Sequence, residues 1–320
     1  MVKKPAFFRR QRGVALLVVI LGIALMTLII VDFATTAALG YLSAANQANE
    51  LRAYYLARSS VSVGLGLLAE DARLDQLMQP PYDSLSDVWA APFPPGNVDG
   101  GTASLWVIDE ARKLNLNQLV NAQNGQINPD FAAELGRLFT IVGVDPQVIP
   151  AIADWIDADS DTSSVSGAEM DYYMRLKPPY APRNAPMPTI GDLKMVRGID
   201  DVAFNRLQPF VTVMPEMQVN VNTAPPQVLA ALTPYLFANE DLVKAIVTAR
   251  LIRPFGNLTD VGNIPGLGQY ITDLSKLLTT RSNFFTINGM GTFAGSRKLV
   301  HATFRRQPNG TGLLVGWQED

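Results

Sequence analysis

Residues 1–31, MVKKPAFFRRQRGVALLVVILGIALMTLIIV, decide how this chain folds at its amino end. Residues 1–13 contain five basic side chains and no acidic one, whereas residues 14–31 are almost wholly apolar. A helix of about 18 residues, rising about 1.5 Å per residue, spans ~27 Å, close to the hydrocarbon thickness of a bilayer. The pattern therefore predicts a membrane-spanning helix at 14–31, with residues 1–13 on the cytoplasmic side.

The helical pattern continues beyond the apolar segment, because residues 32–79 contain no proline and Pro80 ends the run. Apolar side chains recur there at intervals of three and four residues, which predicts one helix face packed on a globular body. We predict that 32–79 is the periplasmic part of the same helix. A cleaved secretory signal peptide, with its shorter apolar region, and a plain signal anchor are the alternatives.

The rest of the chain alternates between strand-like and helical patterns. Residues 80–127 and 276–320 show the alternation that is typical of strands, and we assign both ranges to a β region. Residues 128–275 are mainly short helical segments divided by Pro and Gly, with a strand-like segment near 211–222. The sequence therefore predicts an α+β fold: a long N-terminal α-helix packed on a small antiparallel sheet, with a large inserted α-helical domain.

Composition argues against several classes of function. The chain has no Cys, which excludes thiolate metal sites, and its single His disfavours triads and His-rich metal sites, so we predict no catalytic residue. A net charge of -3 gives no general attraction to nucleic acid, and we expect no nucleic-acid partner. Segments 193–200 and 261–268 are similar to helix-hairpin-helix turns, but flanking Asp residues would repel phosphate.

Six carboxylates crowd residues 154–171, and hard oxygen ligands of this kind suit Ca²⁺. Asp157, Asp159 and Asp161 alternate as at the start of an EF-hand loop. The required glycine and final glutamate are missing, so the site would be irregular. A solvated acidic loop is the alternative, because solvent also screens like charges. The predicted structural calcium ligands are Asp157, Asp159, Asp161, Glu169 and Asp171.

The amino end resembles the class 3 signals of type IV pilins and type II secretion pseudopilins. In that family a prepilin peptidase cuts after the leader's last Gly and methylates the new terminus, which implies cleavage between Gly13 and Val14 with N-methylation at Val14. Most members carry Glu where this chain has Val18, and that Glu meets the methylated amine of a neighbouring subunit. An unpaired carboxylate in hydrocarbon is costly, so Val18 favours the subunit at the filament tip. Loss by drift in a divergent major subunit is the alternative.

Several blocks, in order, resemble the type II secretion system minor pseudopilin K family over nearly the whole chain: DSLSDVWA, LNLNQLV, DWIDADSD with GAEMDYY, GDLKMVRGI and VNVNTAPPQVLAAL. The resemblance implies a pilin-like fold, a calcium-binding region, and a single-pass inner-membrane protein with its C-terminal body in the periplasm. It implies a tip complex with I-like and J-like minor pseudopilins that initiates pseudopilus assembly and supports export of folded proteins. Other pseudopilins and the inner-membrane assembly platform are further implied partners. A minor pilin of a type IV pilus and a DNA-binding module of an uptake system remain alternatives.

Overall fold

The computed structural model of the protein describes residues 11–77, 80–121, 123–307 and 310–320, so most of the predicted leader lies outside the described residues. The helices are α1 (Gln11–Asp75), α2 (Pro129–Val142), α3 (Ile149–Ile156), α4 (Met170–Tyr173), α5 (Asp201–Leu207), α6 (Pro226–Leu232), α7 (Pro234–Ala238), α8 (Glu240–Ile252), α9 (Leu258–Gly262) and α10 (Ile271–Leu277). The strands are β1 (Gly96–Val98), β2 (Gly101–Asp109), β3 (Leu114–Asn115), β4 (Val211–Thr212), β5 (Val219–Asn220), β6 (Leu278–Thr279), β7 (Phe284–Phe293), β8 (Ser296–Arg306) and β9 (Gly312–Glu319).

Helix α1 is uninterrupted and carries both the predicted span and its continuation. By length and composition it can cross a membrane, because an 18-residue window reaches a mean hydropathy of 3.2 with none of that window buried in the protein. The helix ends at Asp75 rather than at residue 79. The end comes shortly before Pro80 and Pro81, which cannot continue a helix.

One antiparallel sheet forms the base on which α1 lies, in the order β1-β2-β7-β8-β9. Strands β2 and β7 precede and follow the helical insertion in the chain, and they are hydrogen-bonded neighbours. Asp109 at the end of β2 lies opposite Phe285 near the start of β7. The insertion therefore leaves and re-enters the sheet at adjacent positions.

Helix α1 packs on β7 at close range because both surfaces carry small residues. A Cβ added to Gly289 would lie 2.2 Å from the carbonyl oxygen of Ala57, and one added to Gly291 would lie 2.0 Å from that of Ala53. A side chain at either strand position would therefore push the helix backbone away. The core of the sheet lobe forms beside this contact, around the fully buried Ile287.

A second and larger core lies within the helical insertion. It begins at Leu114, so residues 114–127 pack with the insertion, although their sequence pattern grouped them with the β region. The reason is that β3 pairs in parallel with β4, and β5 pairs in parallel with β6. The strand-like segment near 211–222 thus supplies two short strands to the helical lobe rather than to the main sheet.

A buried polar network joins the two lobes. The side-chain amide of Asn220 donates to Ser282 Oγ at 2.8 Å, to the Asp83 carbonyl at 3.1 Å and to Asp109 Oδ2 at 3.2 Å. The hydroxyls of Ser282 and Thr223 donate to the same Asp109 oxygen. Burial raises the pKa of Asp109 to about 7 against the opposing effect of these hydrogen bonds. The network fixes the start of the insertion to its end.

Candidate metal centre

Three carboxylates from one segment of the insertion converge. Asp154 lies in the last turn of α3, Asp157 follows that helix directly, and Glu169 immediately precedes α4. Each contributes a carboxylate oxygen within 4.8 Å of the other two, and all three residues are buried. The loop between α3 and α4 therefore encloses a concentrated negative charge.

Asp154 organises this loop. Its Oδ1 accepts a hydrogen bond from the backbone N–H of Ser163 at 3.0 Å, and its Oδ2 accepts one from that of Ala168 at 2.7 Å. Position 167 requires glycine, because a Cβ on Gly167 would lie 2.1 Å from Asp154 Oδ2. Arg197 holds the Gly167 carbonyl through a hydrogen bond of 2.8 Å. Asp154 thus fixes the loop around the other two carboxylates.

The carboxylates of Asp157 and Glu169 lack hydrogen bonds of the kind that Asp154 accepts. In the described part of the chain, Asp157 Oδ1 and both carboxylate oxygens of Glu169 are buried without a hydrogen-bond partner. Desolvation, with repulsion from Asp159 and Asp154, raises the pKa of Asp157 to about 6. Desolvation, with repulsion led by Asp157, raises the pKa of Glu169 to about 7. Buried carboxylates of this kind need a cation or a proton, and their hard oxygen atoms fit Ca²⁺.

The structure separates the five predicted ligands into two sets. It brings Asp157 and Glu169 together in the three-carboxylate group. The other three are exposed and lie outside that group: Asp159, Asp161 and Asp171. Asp154, the third member of the group, was not among the predicted ligands. Its spacing of three residues from Asp157, close to one helical turn, was the signal that could have identified it.

A second acidic group lies near the C-terminal end of α1, but an arginine side chain supplies positive charge beside it. Asp71, Asp83 and Asp87 also bring carboxylate oxygens within 4.8 Å of one another. Arg306 approaches Asp71 Oδ2 at 2.9 Å and Asp83 Oδ1 at 2.6 Å, and the backbone N–H of Ser282 donates to Asp83 Oδ2 at 2.8 Å. Arg306 therefore neutralises part of this charge, with Asp83 as its nearest carboxylate, and we treat the group as a network of one arginine and its carboxyl groups.

Two family models, both described as type II secretion system (T2SS), protein K, match residues 112–216 and 219–281, which together make up more than half of the chain. The protein belongs to the type II secretion system protein K family. The resemblance found in the sequence is confirmed, and with it the interpretation of the chain as a minor pseudopilin.

Relatives in the protein K family match this chain over most of its length. The type II secretion system protein K of Pseudomonas aeruginosa is 28% identical over 94% of this chain and 91% of that protein. The protein K of Aeromonas hydrophila is 30% identical over 93% of this chain and 94% of that protein. A chain in the crystal structure of the GspK-GspI-GspJ complex from enterotoxigenic Escherichia coli matches with a TM-score of 0.69 and 18% identity, covering 87% of this chain and 99% of that one. The predicted α+β pilin-like fold is thereby confirmed.

The remaining predicted site residues lie on α1. Gly13 and Val14 belong to the first turns of the helix, and a Cβ on Gly13 would meet nothing within 4 Å. Val18 is exposed, as are most side chains of the apolar span. An exposed apolar helix at the amino end is consistent with single-pass anchoring of a secretion-system component.

Proposed function

We propose that this protein is the minor pseudopilin at the tip of the type II secretion pseudopilus, in a complex with I-like and J-like minor pseudopilins. The observation that carries the proposal is the likeness of its fold to 99% of a GspK chain solved together with GspI and GspJ. In this role it initiates assembly of the pseudopilus, contacts other pseudopilins and the inner-membrane assembly platform, and supports export of folded proteins. Its work is structural and involves no catalysis.

The proposed topology places α1 across the inner membrane and the folded body in the periplasm. The basic residues before Gly13 support this orientation, because positive flanks stay on the cytoplasmic side. Prepilin peptidase cuts between Gly13 and Val14 and methylates Val14, and the intact mass of the purified protein tests this step. An unprocessed Met1 in cells with active peptidase would contradict it. Val18 supports the tip position, since a tip subunit has no neighbour above it to pair with a carboxylate in the membrane.

A structural Ca²⁺ is the proposed occupant of the three-carboxylate group. The support is the set of buried carboxylate oxygens of Asp157 and Glu169 that lack hydrogen-bond partners in the described residues. A divalent cation held there would tie the end of α3 to the start of α4, while Asp154 keeps the loop in place. Its charge would offset the mutual repulsion of the carboxylates.

The tip proposal is tested by co-expressing the tagged full-length protein with its I-like and J-like partners and purifying it from detergent-solubilised membranes. We expect the three proteins to elute as one complex in size-exclusion chromatography. A tagged, unrelated single-pass membrane protein serves as the control for non-specific association. Elution of the I-like and J-like proteins as a pair, with this protein apart from them, would remove the tip assignment.

A further inference from the structure

Residues 83–90 cross from the end of α1 toward the start of the sheet, and we call them the 83–90 strap. A 3-10 turn in the strap contacts both α1 and β2. It buries Trp89 against Phe285, with 5.2 Å between the ring centroids. At the other end of the strap, the backbone N–H of Asp83 donates to the Thr280 carbonyl at 2.8 Å. The strap is therefore fixed both to the core of the sheet and to the chain just before β7.

The strap is also tied to the junction between the two lobes. Asn220 of the insertion donates to the Asp83 carbonyl at 3.1 Å, and the backbone N–H of Ser282 donates to Asp83 Oδ2 at 2.8 Å. Asp83 is fully buried, so no water replaces these partners in the folded state. Any displacement of the strap therefore breaks hydrogen bonds that join the insertion to the sheet.

The carboxyl groups around the strap outnumber the arginines beside them. Among the described residues, four carboxyl groups and two guanidinium groups meet here, and they come from every element that packs on the strap's charged end. They are Asp71 and Asp75 near the end of α1, Asp83 and Asp87 on the strap, Arg281 before β7, and Arg306 at the end of β8.

The two arginines do not neutralise all four carboxyl groups. Arg306 Nη1 lies 2.6 Å from Asp83 Oδ1, and Arg281 Nη2 lies 3.1 Å from Asp75 Oδ2. Arg306 Nη2 also lies 2.9 Å from Asp71 Oδ2. One guanidinium carries a single positive charge, so Arg306 cannot balance both Asp83 and Asp71. The excess of negative charge therefore falls on Asp71 and on the strap carboxyl group next to it.

Asp71 and Asp87 are the two carboxyl groups that share this excess. Their carboxyl oxygens lie within 4.8 Å of each other, and Asp71 is only 4% exposed. Asp71 also lies near the C-terminal end of α1, where the helix dipole disfavours negative charge. Desolvation, followed by repulsion from Asp87, raises the pKa of Asp71 to about 8, and desolvation raises the pKa of Asp87 as well. The folded protein therefore favours one bound proton on the pair.

We propose that Asp71 and Asp87 bind one proton as a pair, and that this proton fastens the 83–90 strap to α1 and so holds the helical insertion on the sheet. A protonated carboxyl group is a hydrogen-bond donor to its neighbour, whereas two carboxylates repel each other. Loss of the proton pushes the strap away from α1 and withdraws Asp83 from the lobe junction. The strap is thus a proton-dependent clamp within this chain, and it does not depend on the tip complex.

Hydrogen–deuterium exchange of the full-length protein in detergent tests the strap. The closed strap holds a proton that the open strap releases, so protection is full at low pH and is lost as the pH rises toward about 8. For one proton, the ratio of closed to open strap falls about tenfold per pH unit between pH 6 and pH 7. We expect the backbone amide of Ser282, which donates to Asp83, to follow this slope after correction for intrinsic exchange.

Asp71→Asn places an amide donor where the proton would be, so it should flatten the slope by about one factor of ten per pH unit. Asp87→Asn should have the same effect, and the double variant should add nothing, because the pair binds one proton. Glu50→Gln, an exposed change in the same helix, should keep the wild-type slope. Equal slopes in wild type and Asp71→Asn would overturn the proposal, as would flattening by the two substitutions that adds up in the double variant.

The link from the strap to the insertion has its own readout. The chain contains no Cys, so Ala69→Cys on α1 and Leu251→Cys on α8, both at exposed positions, accept one spin label each without background. We expect the distance distribution between the labels to broaden from pH 6 to pH 8 with Asp71 present and to stay narrow with Asp71→Asn. Melting curves at pH 6 verify that each variant is folded. A width that does not change with pH would show that the strap does not hold the insertion.

Discussion

Asp157 and Asp161 belong to the same acidic loop, but only Asp157 is buried in the three-carboxylate group. If Ca²⁺ binds this group in the folded state, it must raise the melting temperature of the full-length protein relative to chelator. Asp157→Asn removes a ligand charge and should abolish most of this rise, whereas Asp161→Asn should retain it. Differential scanning fluorimetry in detergent, with calcium and with chelator, measures both effects.

The same two variants should behave differently in chelator. Without a cation, Asp157 and Glu169 repel each other in a desolvated site, so Asp157→Asn should melt at a higher temperature than the wild type. Asp161→Asn relieves no buried charge and should match the wild type. A calcium-dependent rise that is equal in wild type and Asp157→Asn would contradict the proposed site.

Asp71 gives a pH-dependent prediction. Desolvation, followed by repulsion from Asp87, raises the pKa of Asp71 from 3.8 to about 8, although Arg306 opposes the change. The folded state therefore binds this proton more tightly than the unfolded state. The resulting stability is fully present below pH 3.8 and is lost as pH rises through about 8. We expect the melting temperature to fall between pH 6 and pH 9, and Asp71→Asn should flatten that slope.

Glu70→Gln is the control for this pH experiment. Glu70 is exposed and bonded to Arg73, and this hydrogen bond lowers the pKa of Glu70, so its substitution should preserve the wild-type slope above pH 6. Melting curves recorded by circular dichroism across the range provide the comparison. Identical slopes in wild type and Asp71→Asn would show that Asp71 does not take up a proton on folding in this range.

The acidic segment 154–171 could be predicted from the sequence only in part. The acidic composition of residues 154–171 predicted that carboxylates would gather, and Asp157 and Glu169 do so. Asp159 and Asp161 do not, because the loop between α3 and α4 has no periodicity that distinguishes inward from outward side chains. Which of them turns inward depends on the backbone hydrogen bonds to Asp154, which join residues far apart in the loop.

At the scale of the elements, two glycines near the C-terminal end of α1 give opposite predictions. A Cβ on Gly64 would lie 2.5 Å from Ile287 Cγ2, which is fully buried, whereas one on Gly66 would meet nothing within 4 Å. Alanine is favoured over glycine in a helix by about 0.8–1.0 kcal/mol. Gly66→Ala should therefore raise the melting temperature. Gly64→Ala should lower it, because overpacking costs about 1–3 kcal/mol.

Each of these variants is the other's control, since both make the same chemical change in one helix. Thermal melting of the detergent-solubilised full-length protein measures the difference. Stabilisation by both substitutions would mean that α1 lies farther from β7 than the structure places it.

The long helix and strands β7, β8 and β9 were predictable because each has a sustained period. The two-residue strands β3 to β6 were not, because elements that short carry no periodic signal. Their pairings join residues that are distant in the chain, as with Leu114 and Val211 or Val219 and Leu278. Residues 114–127 were therefore placed with the sheet, while their buried apolar side chains belong to the helical core.

At the scale of the whole molecule, Asn220 joins the two lobes through its three side-chain hydrogen bonds. Asn220→Ala removes the side-chain donor to the buried Asp83 carbonyl, and leaving such an acceptor unpaired costs about 1–3 kcal/mol. We expect a clearly lower melting temperature and faster limited proteolysis at the junction between the lobes. Gln218→Ala is the control, because Gln218 donates to the carbonyl of Ser275 in an exposed position. Equal protease resistance in both variants would show that the network does not hold the lobes together.

The adjacency of Asp109 and Phe285 has an evolutionary consequence. Opposed residues in antiparallel strands lie about 5 Å apart, so the helical insertion joins the sheet at two adjacent points, as a small turn would. Gene duplication or recombination can replace such a domain with another whose ends are adjacent, without altering the strand order or the packing of α1 on the sheet. Proteins that share the sheet and the long helix can therefore carry different domains at this one position.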